Sequence, residues 1–281
     1  MQATTQNNYS AYLADCSSCF GLCCVGLAYA KSADFAKDKD QGTPCQNLGE
    51  DYRCGIHSQL RERGYRGCTV YECFGAGQKI SQSSYQGASW RERPETAGDM
   101  FALLPVMQQL HEMLYYLDEA AKRKETSVIQ DDLRGSMERL ERVTRQSPQQ
   151  LLSLSIPEYR VSVNELLTKA SELVRDVFRR QDTNSGKPIH LKSREQFGAT
   201  LQKANLSGVN LRGTFFIAAN LKQADLRGSD LIGADLRDAD LSGADLRGCL
   251  YLTQAQLNSA QGSSLTKLPG HLSTPSHWPK A

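Results

Sequence analysis

Eight of the nine cysteines of this 281-residue chain lie between Cys16 and Cys73. They run Cys16-x2-Cys19-x3-Cys23-Cys24, followed by Cys45, Cys54, Cys68 and Cys73. Thiolates two to four residues apart suit a soft tetrahedral ion, because one tight turn brings both sulfurs onto it. The chemistry expected of Cys16, Cys19, Cys23, Cys24, Cys45, Cys54, Cys68 and Cys73 is metal ligation. It would take the form of two zinc sites of four thiolates each, or one iron–sulfur cluster with thiols to spare. In an extended segment adjacent Cys23 and Cys24 point apart, which leaves one of them a plain buried thiol. Disulfides and inert core thiols are the competing roles. His57 reads as a structural neighbour rather than a ligand, and as a base for a cysteine nucleophile it lacks a visible orienting group. Lys79 after Gly75-x-Gly77 does not complete a phosphate loop, since GxxxxGK[ST] is absent. The residues assign no catalytic role and no organic cofactor site.

What a thiol does depends on its compartment. The most apolar early stretch, Cys19 to Ala30, is shorter than the ~18 residues of a membrane span, and no Lys or Arg precedes Lys31. It has no charged start of the kind a signal peptide carries. A Leu-x-x-Cys match at Leu13 to Cys16 lacks the basic start and apolar run of a lipoprotein site. The expected location is a reducing bacterial cytoplasm with no membrane partner, where clustered thiols hold metal more often than they form disulfides. A net charge of +2 marks neither a basic glove for nucleic acid nor an acidic tail. The expected partner is another protein.

About 80 cysteine-bearing residues rich in glycine and turn formers would have little core of their own, so a metal is expected to staple them. The elements around them differ in kind. Between Ala97 and Arg180 apolar residues recur at helical spacing in three stripes: Leu103 to Leu117, Ile129 to Val143 and Leu166 to Val177. Breaks fall near Lys124 to Ser127 and at Pro148 to Pro157. A three-helix bundle is the simplest packing. His111, Tyr115 and Tyr116 on the first stripe read as core rather than pocket lining.

From Leu201 a large apolar residue recurs every fifth place: Leu206, Leu211, Phe216, Leu221, Leu226 and onward to Leu246, with Tyr251 as a degenerate last member. In a helix every fifth residue advances about 140° beyond a full turn, so these side chains would spiral round the rod. On a flat strand an odd spacing would expose half of them. The remaining solution is a chain that turns a corner every five residues and sends each central side chain to a common axis. Small residues two places earlier, Ala199 to Ala244 with Cys249 last, share that inward side; Cys249 is packing. Glycines two places later, Gly208 to Gly248, supply corners. Asn or Asp before the central residue suits a corner because its side chain bonds local backbone.

The run Ala224-Asp225-Leu226 through Ala244-Asp245-Leu246 resembles the pentapeptide repeat family, whose pattern is A(D/N)Lxx. The resemblance implies a right-handed quadrilateral β-helix with four pentapeptides per coil, about 2.75 coils or roughly 13 Å of rod at ~4.8 Å per strand spacing. Some members of that family resemble DNA and protect type II topoisomerases. Here six acids meet six bases between residues 199 and 250, so the rod is neutral and short for that role. Thr253 is placed to cap a short helix that, with Pro269, Pro275 and Trp278, plugs the far end. Phe197, Phe215, Phe216 and Ile217 fall near one another when coils stack every twenty residues, with Phe215 and Ile217 facing outward as a candidate dock for the preceding domain.

The thiols from Cys16 to Cys24, then Pro44-Cys45, Cys54-Gly-Ile-His57 and Gly67-Cys68 to Cys73, resemble a bacterial cysteine-cluster family named for zinc or iron chelation. That resemblance implies metal ligation, not a reaction. The expected fold class is mixed, with divisions at 1–96 (loop-rich cysteine module), 97–181 (α-helical bundle), 182–192 (linker), 193–251 (repeat) and 252–281 (cap and tail). The leading function is a non-enzymatic scaffold or interaction protein with a thiolate metal centre, zinc or iron–sulfur. An iron–sulfur redox or radical enzyme, and an antibiotic self-resistance protein acting on a target such as a type II topoisomerase, are the alternatives.

Overall fold

A computed structural model describes residues 12–181 and 188–279. Of the linker expected at 182–192, residues 182–187 lie outside the described residues. The chain forms two compact units: residues 1–118 with 131–164, and residues 119–130 with 165–281.

In the first unit the cysteine segment is mostly irregular chain punctuated by short turns of helix: α1 (Leu22–Gly26), α2 (Arg66–Thr69) and α3 (Ala76–Gln78). Four longer or better-capped elements follow along the chain: α4 (Ala97–Ala121), α5 (Gln130–Val143), α6 (Pro148–Leu152) and α7 (Ile156–Gln181), the end of α4 and the part of α7 from Glu165 onward belonging to the second unit. Three of them coincide with the three apolar stripes. The break at Pro148 is itself a turn of helix, α6, because Ser147 and Gln150 form a capping box and proline is tolerated at the first helical position. The cysteine segment does not rely on itself for a core. Leu22, Val25, Phe74 and Ile80 are buried, the Phe101 backbone lies against Gly26, and Trp90 meets the Phe101 ring edge-on at 5.9 Å. Helix α4 thus supplies apolar surface that the cysteine segment lacks on its own. His111 faces inward too, 6% exposed, its Nδ1 2.8 Å from the Phe74 carbonyl.

In the second unit the repeat coils as its period demands, but it does not form strands. Pairing is confined to single parallel bridges in which residue n meets residue n + 20, as in Thr200 with Asn220, Asn205 with Asp225 and Asp225 with Asp245. Each coil therefore holds four pentapeptides. The hydrogen bonds of one pentapeptide explain why no ladder develops. Asn220 N–H reaches back one coil to Ala199 O (2.9 Å), while Leu221 and Gln223 N–H reach forward to Asp240 and Ser242 O (2.9 Å each). Lys222 N–H is taken by the Asn220 side chain (3.1 Å) and Ala224 N–H by Leu221 O (3.0 Å) in a local turn. All five donors are satisfied, and two of them go into the corner rather than to the neighbouring coil. The Asn or Asp side chain accepts the N–H two places on in eight units, Asn205 to Asp245. Corner residues adopt φ between 56° and 71° whether glycine or, at Lys203, Ala218, Gln223 and Asp238, not.

The column Leu206 to Leu246, with the small residues between, is sealed from solvent, and Cys249 is 1% exposed within it. At the far end α8 (Gln254–Ser259) starts in a capping box of Thr253 and Gln256. The tail then continues the coil, Gln261 pairing with Asp240 and Lys267 with Asp245, and Trp278 closes the core at 3% exposed. The Tyr251 N–H is accepted by the buried Glu119 carboxylate (3.0 and 3.2 Å). Arg123, paired with Glu119 at 2.8 Å, donates to the Gly248 and Cys249 carbonyls (3.3 and 2.7 Å). One side of the coil is closed by Phe178 of α7. A Cβ at Gly228 would lie 2.2 Å from that ring, and one at Gly248 2.8 Å. The patch expected as a dock stays exposed: Phe197 (58%) and Phe215 (43%) stack on one another, centroids 5.6 Å apart.

Candidate thiolate site

Short contacts bring parts of the cysteine segment together. On α1, Cys23 and Cys24 project in directions about 100° apart, as neighbours on a helix must. Cys45 N–H donates to Cys24 O (2.9 Å), bringing Cys45 beside Cys24, and the antiparallel bridge of Leu48 with Cys54 folds Cys54 back toward it. The Cys19 sulfur sits 2.7 Å from where a Cβ on Gly77 would be, so only glycine fits in the turn that follows Cys73. All nine cysteines are free thiols. Among the described residues no three His, Cys, Asp or Glu side chains stand as a ready ligand set for an ion.

Burial raises several of the thiols. Burial pushes Cys16 up to about 11, with Cys23, Cys19 and Cys73 adding to the rise. Burial likewise raises Cys19 to about 11 and Cys68 to about 12, the latter with contributions from Cys23, Cys45 and Cys54. Cys23 is raised by its hydrogen bond with Cys24 and by burial. As thiolates these groups would be soft donors, of the type that prefers zinc, iron or copper.

Asn47 N–H points at Cys45 Sγ (3.5 Å), and backbone donors act to lower the Cys19, Cys54 and Cys73 thiols against the rise that burial causes. A neutral thiol is a weak acceptor, whereas a thiolate gains from each such donor. Cys45 receives a second, from Tyr29 Oη at 3.3 Å. Tyr29 is held by stacking on Phe35, centroids 4.3 Å apart.

One residue of the site carried no sequence signal. Lys39 is 8% exposed, and its ammonium donates to the carbonyls of Val25 (2.9 Å), Asp40 (3.0 Å) and Thr43 (2.9 Å). Burial lowers its pKa, while Cys45, Cys24, Asp40 and Cys23 act to raise it. His57 is exposed in a single 3-10 turn.

Coils of twenty residues, turn-forming Asn and Asp and a leucine column together define a pentapeptide-repeat protein. The model of the family "Pentapeptide repeats" matches eight copies over residues 216–250, and the chain belongs to this family. Over 269 residues it is 55% identical to "Uncharacterized protein YybG" of Bacillus subtilis (strain 168), 94% of each chain being covered. Two solved structures are also similar. A pentapeptide repeat protein from the Arabidopsis thaliana thylakoid lumen is 27% identical, over 34% of this chain and 63% of that one, with a TM-score of 0.16. HetL, a pentapeptide repeat protein involved in heterocyst differentiation regulation from Nostoc sp. strain PCC 7120, is 26% identical over 27% and 35%, with a TM-score of 0.13. The chain spans less than two thirds of either solved structure.

Proposed function

We propose that this protein is a non-enzymatic scaffold of the cytoplasm: a thiolate metal centre staples its cysteine segment, and a right-handed quadrilateral coil presents a surface to another protein. The observation that carries the reading is the pair of donors on the Cys45 sulfur, Asn47 N–H at 3.5 Å and Tyr29 Oη at 3.3 Å. Such donors stabilise negative sulfur and are the usual surroundings of zinc- and iron-bound thiolates. Cys16, Cys19, Cys23, Cys24, Cys54, Cys68 and Cys73 complete the donor set. A bound ion would supply charge to hold the sulfurs together, and the chain's part is to orient them and limit water. The scaffold half is supported by the repeat, whose polar side chains are largely engaged in its own turns and ion pairs.

Elemental analysis and absorption spectroscopy of protein purified without oxygen test this. Stoichiometric zinc in a colourless protein is the expected result. Visible sulfide-to-iron bands that bleach on reduction would replace the scaffold by the redox reading, and absence of any metal would remove both.

A further inference from the structure

The two ends of the coil are finished differently. At the far end α8, the tail and Trp278 cover the last turn, whereas the first turn, 193–212, has no turn before it. Inside the coil each bridging residue aims both its N–H and its C=O at the preceding turn: Asn220 donates to Ala199 O (2.9 Å) and accepts from Leu201 N–H (2.8 Å). The same geometry makes Glu195, Thr200, Asn205 and Asn210 aim theirs at the open end. Ser193 Oγ accepts the Glu195 N–H (3.0 Å), and Ile189 N–H donates to the Asn205 carbonyl (2.8 Å). Thr200 and Asn210 are exposed, and among the described residues their backbone N–H and C=O groups have no partner. An unpaired edge of this kind is a template for another chain. On the same turn the stacked pair of Phe197 with Phe215 is exposed, as is Ile189. Residues 1–11, 182–187 and 280–281 contain no two adjacent apolar side chains, so they offer no apolar run to cover it.

We propose that this open end is the interface of a homodimer, in which two copies meet end to end about a two-fold axis. The proposal goes beyond the scaffold role, which names no surface, and does not rest on the thiols. Thr200 and Asn210 lie two pentapeptides apart and so on opposite sides of the four-sided turn. An axis through those two sides brings each residue onto its own copy. Each pair then exchanges two N–H···O bonds, the pattern of an antiparallel hydrogen-bonded pair, and all four free groups of each chain are satisfied at once. A single foreign strand would satisfy one side only, whereas a two-fold contact closes on itself. The same axis sets the side bearing Glu195 and Phe197 in one copy against the side of Asn205 in the other, where Ile189 and Lys203 lie. Apolar groups then face apolar groups, and Glu195 faces an opposite charge.

Sedimentation of the full-length protein over a range of concentrations tests this. The expected result is a monomer–dimer equilibrium, with the Thr200 and Asn210 amides slow to exchange with deuterium in the dimer and fast on dilution. Phe215→Asp, which restores the acid found at the same place in later pentapeptides, and Ile189→Gln should each weaken the dimer about tenfold or more. Glu195→Lys and Lys203→Glu should each weaken it by a similar factor, and the double variant should recover most of that loss. Circular dichroism follows the fold of each variant. Wild type that stays monomeric at its highest soluble concentration overturns the proposal, as does a dimer indifferent to all four substitutions or one whose Thr200 and Asn210 amides exchange freely. Assemblies that grow beyond two copies also overturn it, because head-to-tail stacking then uses the end. Protected amides in a monomer do the same, since another part of the chain then covers the edge.

Discussion

Glu119 does for the end of the coil what a carbonyl does in its interior: it accepts the N–H of Tyr251, and its own charge is met by Arg123. Removing one member of a buried pair leaves the other unmet. Glu119→Ala is therefore expected to cost about 3 to 5 kcal/mol, measured by urea unfolding. Burial raises the Glu119 carboxyl, with Arg123 opposing the rise. A carboxyl raised in the folded state stabilises the fold below its unfolded value of ~4.3 and loses that contribution as pH rises through the folded value. Stability should carry a downward slope with pH above ~4.3 from this group, and Glu119→Gln should abolish it. An unchanged slope in the Gln variant would assign it to another residue. Glu119 did not stand out in the sequence, because it acts on a backbone 132 positions away, and a single acid in a run of mixed charge has no local signature.

The repeat is the element whose order was most legible. A period of five excluded helix and flat strand before any coordinate was known, and the small, polar and glycine positions all fell where that period requires. The pairing was less legible. A β-helix suggested strands, whereas corners take up enough backbone donors to leave isolated bridges. The glycines also hide a distinction, since all serve a positive φ but only some serve close approach. Gly228→Ala sets a methyl 2.2 Å from the Phe178 ring, whereas at Gly233 nothing lies within 4 Å. Thermal or urea unfolding should show a loss of about 1 to 2 kcal/mol at Gly233, from φ alone, and about 1 to 3 kcal/mol more at Gly228 from overpacking. Phe178→Ala should remove that excess in a double-mutant cycle. Equal losses at the two glycines would deny the contact its weight. The helices were legible from their stripes, apart from α6, whose proline was read as a break when it is a first-turn residue.

For the whole molecule, charge decides among functions. The Asp residues of the repeat that stack one coil apart are answered by their own arginines: Asp225 by Arg227 at 2.5 Å, Asp235 by Arg237 and Asp245 by Arg247 at 2.6 Å each. Asp230 is fully buried against Arg212 at 3.0 Å. A surface self-neutralised in this way does not offer the unbroken negative field of a DNA backbone. Purified protein is expected to leave DNA supercoiling by a type II topoisomerase unchanged, with or without a drug; protection in that assay would restore the antibiotic-resistance alternative. The clustering of the thiols along the chain was legible from density and spacing, whereas among the described residues no three potential ligands stand as a set for an ion. Which donors face which sulfur was not legible, because it depends on the path of the chain between them.

The seat of Phe178 on Gly228 and Gly248, twenty residues apart, also limits how such a protein can change over evolutionary time. Duplicating a single pentapeptide between those glycines would advance everything after it by one corner and bring a different side of the coil under the ring. Growth that keeps the contact must come in whole turns, so descendants of this chain should differ in length here by twenty residues or not at all.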